Sequence, residues 1–87
     1  MKKLRGLDGL RDLRLSGTSI TDDSLETIGN LTNLNELRLA NTAIDDRGIE
    51  NLRRLTRLKH VTLRGTKVTI KGYRQIRRLI PAVQIGF

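Results

Sequence analysis

The chain has no cysteine and no tryptophan, one proline, one histidine and two aromatic residues, Tyr73 and Phe87. Without cysteine there are no disulfide staples and no thiolate metal sites, although that absence alone does not fix the compartment. With so few aromatics, the core must be built from Leu, Ile and Val, which favours regular aliphatic stacking over a bulky irregular interior. Long apolar runs are missing too. The start, MKKLRGLDGLRDL, is basic but has no apolar stretch of signal-peptide length, and nothing approaches the roughly 20 apolar residues of a membrane span. The expectation is a soluble, unprocessed, cytoplasmic protein. Acidic residues are absent from position 51 onward.

Eighty-seven residues make one small domain at most, and a chain this short buries a modest share of its surface, so an economical architecture is needed. The sequence supplies one by repetition. Aligned on a period of 24, it reads LDGLRDLRLSGTSITDDSLETIGN (7–30), LTNLNELRLANTAIDDRGIENLRR (31–54) and LTRLKHVTLRGTKVTIKGYRQIRR (55–78), followed by the partial copy LIPAVQIGF (79–87). A fixed period of this length is the signature of a solenoid. The apolar columns are Leu7, Leu31, Leu55, Leu79; Leu10, Leu34, Leu58; Leu13, Leu37, Val61, Ile85; Leu15, Leu39, Leu63, Phe87; and Ile20, Ile44, Val68. All are expected in the core.

Within each unit the periodicity changes. Leu13 and Leu15 alternate with polar neighbours as in a strand, whereas Leu25 and Ile28, or Ile49 and Leu52, are spaced as on one helical face. Each unit therefore reads as strand, turn, short helix. Successive strands are expected to run parallel, since each helix carries the chain back across the sheet. The turns carry Gly17-Thr18, Asn41-Thr42 and Gly65-Thr66. Gly and Asn adopt positive φ at low cost, and a stacked Thr column can satisfy backbone groups that the turn leaves unpaired. Thr21, Asp45 and Thr69 then fit the N-cap of each helix.

The pattern LxxLxxLxLxxTxI resembles a leucine-rich repeat, nearest to a 24-residue bacterial type with a G-T pair and a following T-D step. The likeness runs over nearly the whole chain, and RRLIPAVQIGF resembles the end of such arrays, where a proline and one last strand close the stack. The third copy departs from the pattern with Thr69-Ile70 in place of an acidic residue, and Thr18, Thr42 and Thr66 stand where many leucine-rich repeats carry Asn. The resemblance implies a right-handed α/β solenoid of about three and a half repeats, with a parallel sheet on the concave side and helices on the convex side. Residues 1–87 then form one domain: a partial repeat at 1–6, three repeats, and a capping strand at 79–87.

In this alignment Leu4 falls in the column of Ile28, Leu52 and Ile76, so the chain starts partway through a repeat. A solenoid stabilises each unit through its neighbours and needs a polar outer cap. Nothing before Leu7 resembles one. The expectation is either that the chain is the C-terminal part of a longer array or that a homo-oligomer covers the N-terminal repeat. Repeats one and two share 9 of 24 residues and differ at most exposed positions, which speaks against a consensus design.

Residues 1–50 hold seven basic and nine acidic residues, a net of −2, while 51–87 hold ten basic and none acidic, a net of +10. Asp22-Asp23 and Asp45-Asp46 sit near helix N-termini, where negative charge complements the macrodipole, and the third copy has Ile70-Lys71 there. The basic set Arg53, Arg54, Arg57, Lys71, Arg74, Arg77 and Arg78 is expected to form one patch on the convex and loop side. Such a patch attracts phosphates, so nucleic acid or another polyanion is one candidate partner. No interleaved aromatics are present for base stacking, and no reading-helix motif appears.

Strand residues pointing away from the core form rows: Asp12, Glu36, His60, Gln84; Arg14, Arg38, Thr62, Gly86; and Ser16, Ala40, Arg64. Asp12 and Glu36 lie two residues from Arg14 and Arg38 and can balance them. Asp12, Arg14, Glu36, Arg38, His60, Thr62 and Arg64 are the candidate partner-binding residues. The resemblance implies a protein partner on this concave face, and Arg is enriched at interface hot spots. His60 has no companion nucleophile or metal-ligand cluster, and Glu36 is its expected neighbour. The acidic pairs do not converge on a metal, no phosphate-binding loop with its Lys occurs, and so short a stack is expected to carry no concave pocket. The sequence points to no enzyme, catalytic residue, cofactor or metal.

Overall fold

The computed structural model describes residues 9–86, so the partial repeat at 1–6 with Leu4, and the column members Leu7 and Phe87, lie outside the described residues. Among the described residues seven elements follow one another: β1 (Asp12–Arg14), α1 (Asp22–Ile28), β2 (Glu36–Arg38), a 3₁₀ helix (Asp46–Arg54), β3 (His60–Thr62), α2 (Ile70–Leu79) and β4 (Gln84–Gly86). The four strands form one parallel sheet in chain order, with Leu13, Leu37, Val61 and Ile85 in register. The offset between register partners is the 24-residue period, so each column becomes a row across the sheet.

Each strand has three residues, with the central apolar residue pointing inward and the two flanking ones facing out. The ladder continues past the strands through Leu15 N–H to Arg38 O (2.8 Å), Leu39 N–H to Thr62 O (2.9 Å) and Leu63 N–H to Gly86 O (3.1 Å). The turns behave as the sequence suggests. Gly17, Asn41 and Gly65 have φ of 74°, 57° and 75°, in the left-handed region where Gly and Asn are least strained. Thr18, Thr42 and Thr66 each donate a hydroxyl hydrogen bond to a carbonyl three residues back, at 2.6, 2.7 and 2.6 Å.

Behind the sheet, α1 packs on the 3₁₀ helix and the 3₁₀ helix on α2. Leu25, Ile28, Ile49, Leu52 and Ile76 are fully buried, closing the core against Leu34, Leu37, Leu39, Ile44 and Leu63. In the first repeat Leu10, Leu13, Leu15 and Ile20 are only half-buried and pack against this core.

Two local details refine the expected short helices and their caps. The second unit winds as a 3₁₀ helix over nine residues, where its neighbours are α-helices. Gly48 and Asn51, both weak α-formers, lie within it, whereas α2 carries Lys71, Arg74, Gln75, Arg77 and Arg78 around its one glycine. Thr21, Asp45 and Thr69 do hold the N-cap positions in extended backbone, but only Asp45 caps with its side chain, accepting from Arg47 N–H at 2.9 Å. Neither threonine hydroxyl caps its own helix, and the Thr69 hydroxyl is spent on Asp46, in the repeat before.

Candidate functional site

The sheet brings the predicted concave residues together as rows: Asp12, Glu36, His60 and Gln84 are register partners, as are Arg14, Arg38, Thr62 and Gly86. Alternation of side chains along each strand sets both rows on the face opposite the core. The two arginines that stand side by side are each neutralised along their own strand. Arg14 Nη2 lies 3.1 Å from Asp12 Oδ2, and Arg38 meets Glu36 Oε2 through Nε at 2.6 Å and Nη2 at 2.5 Å. Since an arginine flanked by its own carboxylate carries little net field, the first two strands present alternating signs with no excess of either.

The third strand differs. His60 and Thr62 replace the carboxylate and the guanidinium, and the next outward residue, Arg64, is exposed and has no carboxylate partner among the described residues. Glu36 Oε2 is taken by Arg38, and no hydrogen bond from His60 to Glu36 forms. The row Ser16, Ala40, Arg64 has small residues at its first two positions, with Ser16 Oγ accepting from Ala40 N–H at 3.1 Å. Beside these small side chains lies a depression of about 470 Å³, with Arg38, Ala40, Asn41, His60, Thr62 and Arg64 in its lining. The depression is open to solvent and is not an enclosed pocket.

The basic set divides in two. Arg53 pairs with Glu50 at 3.3 Å, Arg54 Nη1 donates to Asn30 Oδ1 at 3.2 Å, and Arg57 Nη1 donates to Asn33 Oδ1 at 2.8 Å. Asn30 and Asn33 stand one full period before Arg54 and Arg57, so Arg54 ties the second repeat to the first and Arg57 ties the third to the second. Lys71, Arg74, Arg77 and Arg78 line the exposed side of α2 with no carboxylate partner among the described residues.

Sequence reasoning missed what the acidic doublets do. Asp22, half-buried in the first turn of α1, accepts the backbone N–H of Asp45 at 3.1 Å. Asp46 takes the N–H of Thr69 at 2.8 Å and its hydroxyl as well. Each carboxylate thus satisfies the cap residue of the following repeat. Room for it comes from Gly48 and Gly72, where an added Cβ would lie 2.3 Å from Asp22 Oδ1 and 2.2 Å from Asp46 Oδ1. Burial pushes the Asp22 carboxyl above its ordinary range, while the Arg47 side chain and amide hold Asp45 well below it. The third copy has Ile70 in that column, 70% exposed, and so offers no carboxylate there. A spacing signal was available: each of these aspartates has a glycine 26 residues ahead.

Among the described residues no group of three or more His, Cys, Asp or Glu is placed to hold a metal ion, and no helix is long and apolar enough to cross a membrane. No family model matches the chain, and no curated protein matches it. A solved structure does: a leucine-rich-repeat protein of Leptospira interrogans superposes with a TM-score of 0.62 at 24% identity, over 90% of this chain and 25% of that one. This chain therefore spans about a quarter of that neighbour's length. With the parallel sheet stacked at the repeat period, the helices on its far side and this likeness, the chain has the leucine-rich-repeat fold.

Proposed function

We propose that the chain is a protein-interaction module that holds its partner on the concave strand face. One observation carries the reading: the outward rows of four strands form a continuous polar wall whose ion pairs are arranged along the strands, leaving a hollow at its third strand. Proteins with this fold generally act by binding other proteins, and rows of fixed charge suit partner selection. The proposed role is binding rather than catalysis, in keeping with that general use of the fold.

A second reading is supported by the exposed side of α2. Lys71, Arg74, Arg77 and Arg78 make a cluster of unneutralised charge that fits a nucleic acid or another polyanion without sequence preference. The two readings separate by mutation. Replacing Arg74, Arg77 and Arg78 with Gln abolishes polyanion binding and spares a concave partner, while changing Arg14, Glu36 and Arg38 does the reverse. A pulldown in which neither set alters any interaction sinks both.

A further inference from the structure

Resting on the concave-face reading, we infer that the partner inserts an acidic side chain, the carboxylate of an Asp or Glu, into the hollow beside Arg64. Charge complementarity selects this occupant. On the first two strands every outward guanidinium already meets a carboxylate, at 3.1 Å for Arg14 and 2.5 Å for Arg38. Arg64 is the outward arginine of this face left without one among the described residues.

The surroundings favour donation over acceptance. Arg64 offers five N–H groups in a planar fork that matches a carboxylate, and Thr62, Asn41 and His60 in the same lining can each supply a further hydrogen. Ala40, between Ser16 and Arg64 in its row, has no polar atoms on its side chain and leaves space above the sheet for a side chain of the partner to enter. One feature limits the charge of that occupant. Glu36 lines the same hollow with its second oxygen uncommitted, so a single carboxylate is balanced by Arg64 whereas a run of phosphates meets repulsion. The convex cluster on α2 has no such acidic neighbour, which separates the two surfaces chemically.

The test selects a random 12-residue peptide display library on the immobilised 87-residue chain and, in parallel, on its Arg64→Gln variant. The substitution is at an exposed position, and matching circular dichroism verifies the fold. Peptides from the parent are expected to carry Asp or Glu at one fixed position. A synthetic copy should lose about fivefold in affinity on Arg64→Gln, the effect of one partly exposed charge pair. Exchanging the charges, Arg64→Glu with Lys at the acidic position of the peptide, should recover much of that loss. Peptides that need Arg38 and Thr62 but show no acidic preference overturn this inference and leave the concave-face reading standing. No enrichment, or enriched peptides displaced only by Arg74, Arg77 and Arg78 substitutions, overturns both.

Discussion

The carboxylate of Asp46 receives both the backbone N–H and the hydroxyl of Thr69, a residue 23 positions later at the cap of the next helix. Asp22 stands in the same relation to the N–H of Asp45. A helix start leaves amides without partners inside the helix, and here one repeat supplies what the next one lacks. The cross-repeat bond couples the two units, which is how a solenoid gains its stability.

Asp46→Ala should therefore lower stability by about 1–3 kcal/mol, as expected for removing an ionised acceptor from two donors. Asp46→Asn, which keeps an acceptor oxygen, should cost less. Ile70→Asp, in the same column but at a position 70% exposed, should change stability by no more than about 0.5 kcal/mol. Urea midpoints for the three variants check the order.

Gly48→Ala places a methyl where Asp22 Oδ1 sits and presses on Leu25 as well. The expected cost is about 1–3 kcal/mol, in the range of overpacking. Combined with Asp22→Ala the two costs should sum to less than their separate values, because the obstacle has gone. Gly29→Ala should be worse than Gly48→Ala, since its methyl meets the backbone carbonyl of Asn51 at 2.2 Å, which cannot rotate aside. Additive costs in the double variant, or a tolerated Gly29→Ala, would contradict this geometry.

Acid should act on Asp45 and Asp22 in opposite directions. Arg47 lowers the Asp45 value in the folded state, so its stabilisation is complete above the ordinary carboxylate value of 3.8 and is lost as pH falls below it. Burial raises the Asp22 value, so the folded state binds that proton more readily and this group favours folding as pH falls. Between pH 6 and 3, Asp45→Asn should lose less stability than the parent chain and Asp22→Asn should lose more. Identical slopes in denaturation across that range would show that neither carboxyl is perturbed.

Thr42 is buried, and its hydroxyl holds the carbonyl of Leu39 at 2.7 Å. Thr42→Val preserves the shape but strands that carbonyl, at an expected cost of about 1–2 kcal/mol. Thr18→Val, at the exposed equivalent in the first repeat, should cost less because water can replace the hydroxyl. Comparison of the two by thermal melting tests whether burial sets the difference.

Much of the fold could be read from the spacing. Leu13, Leu37, Val61 and Ile85 are one period apart and become one row, and Gly17, Asn41 and Gly65 announce the left-handed turn by residue type alone. The outward rows followed from the same alternation, including the neutralisation of Arg14 and Arg38. What stayed hidden were contacts between repeats. The bonds of Arg54 to Asn30 and of Arg57 to Asn33 stayed hidden because those distances become short only when the units stack. The aspartates looked sufficient as partners of a helix dipole, and the glycines that make room for them have no signature within their own repeat. The concave hollow escaped because Ala40 matters through side-chain volume that it does not occupy.

The seated aspartate also gives the three repeats distinct grammatical positions. The first carries the carboxylate but has Ser24 where its successors have glycine, and the third carries the glycine but has Ile70 where its predecessors have aspartate. Only the middle repeat bears both halves of the joint. Duplicating residues 31–54 would lengthen the array with every carboxylate still seated. A doubled first repeat would crowd one joint, and a doubled third would leave one empty.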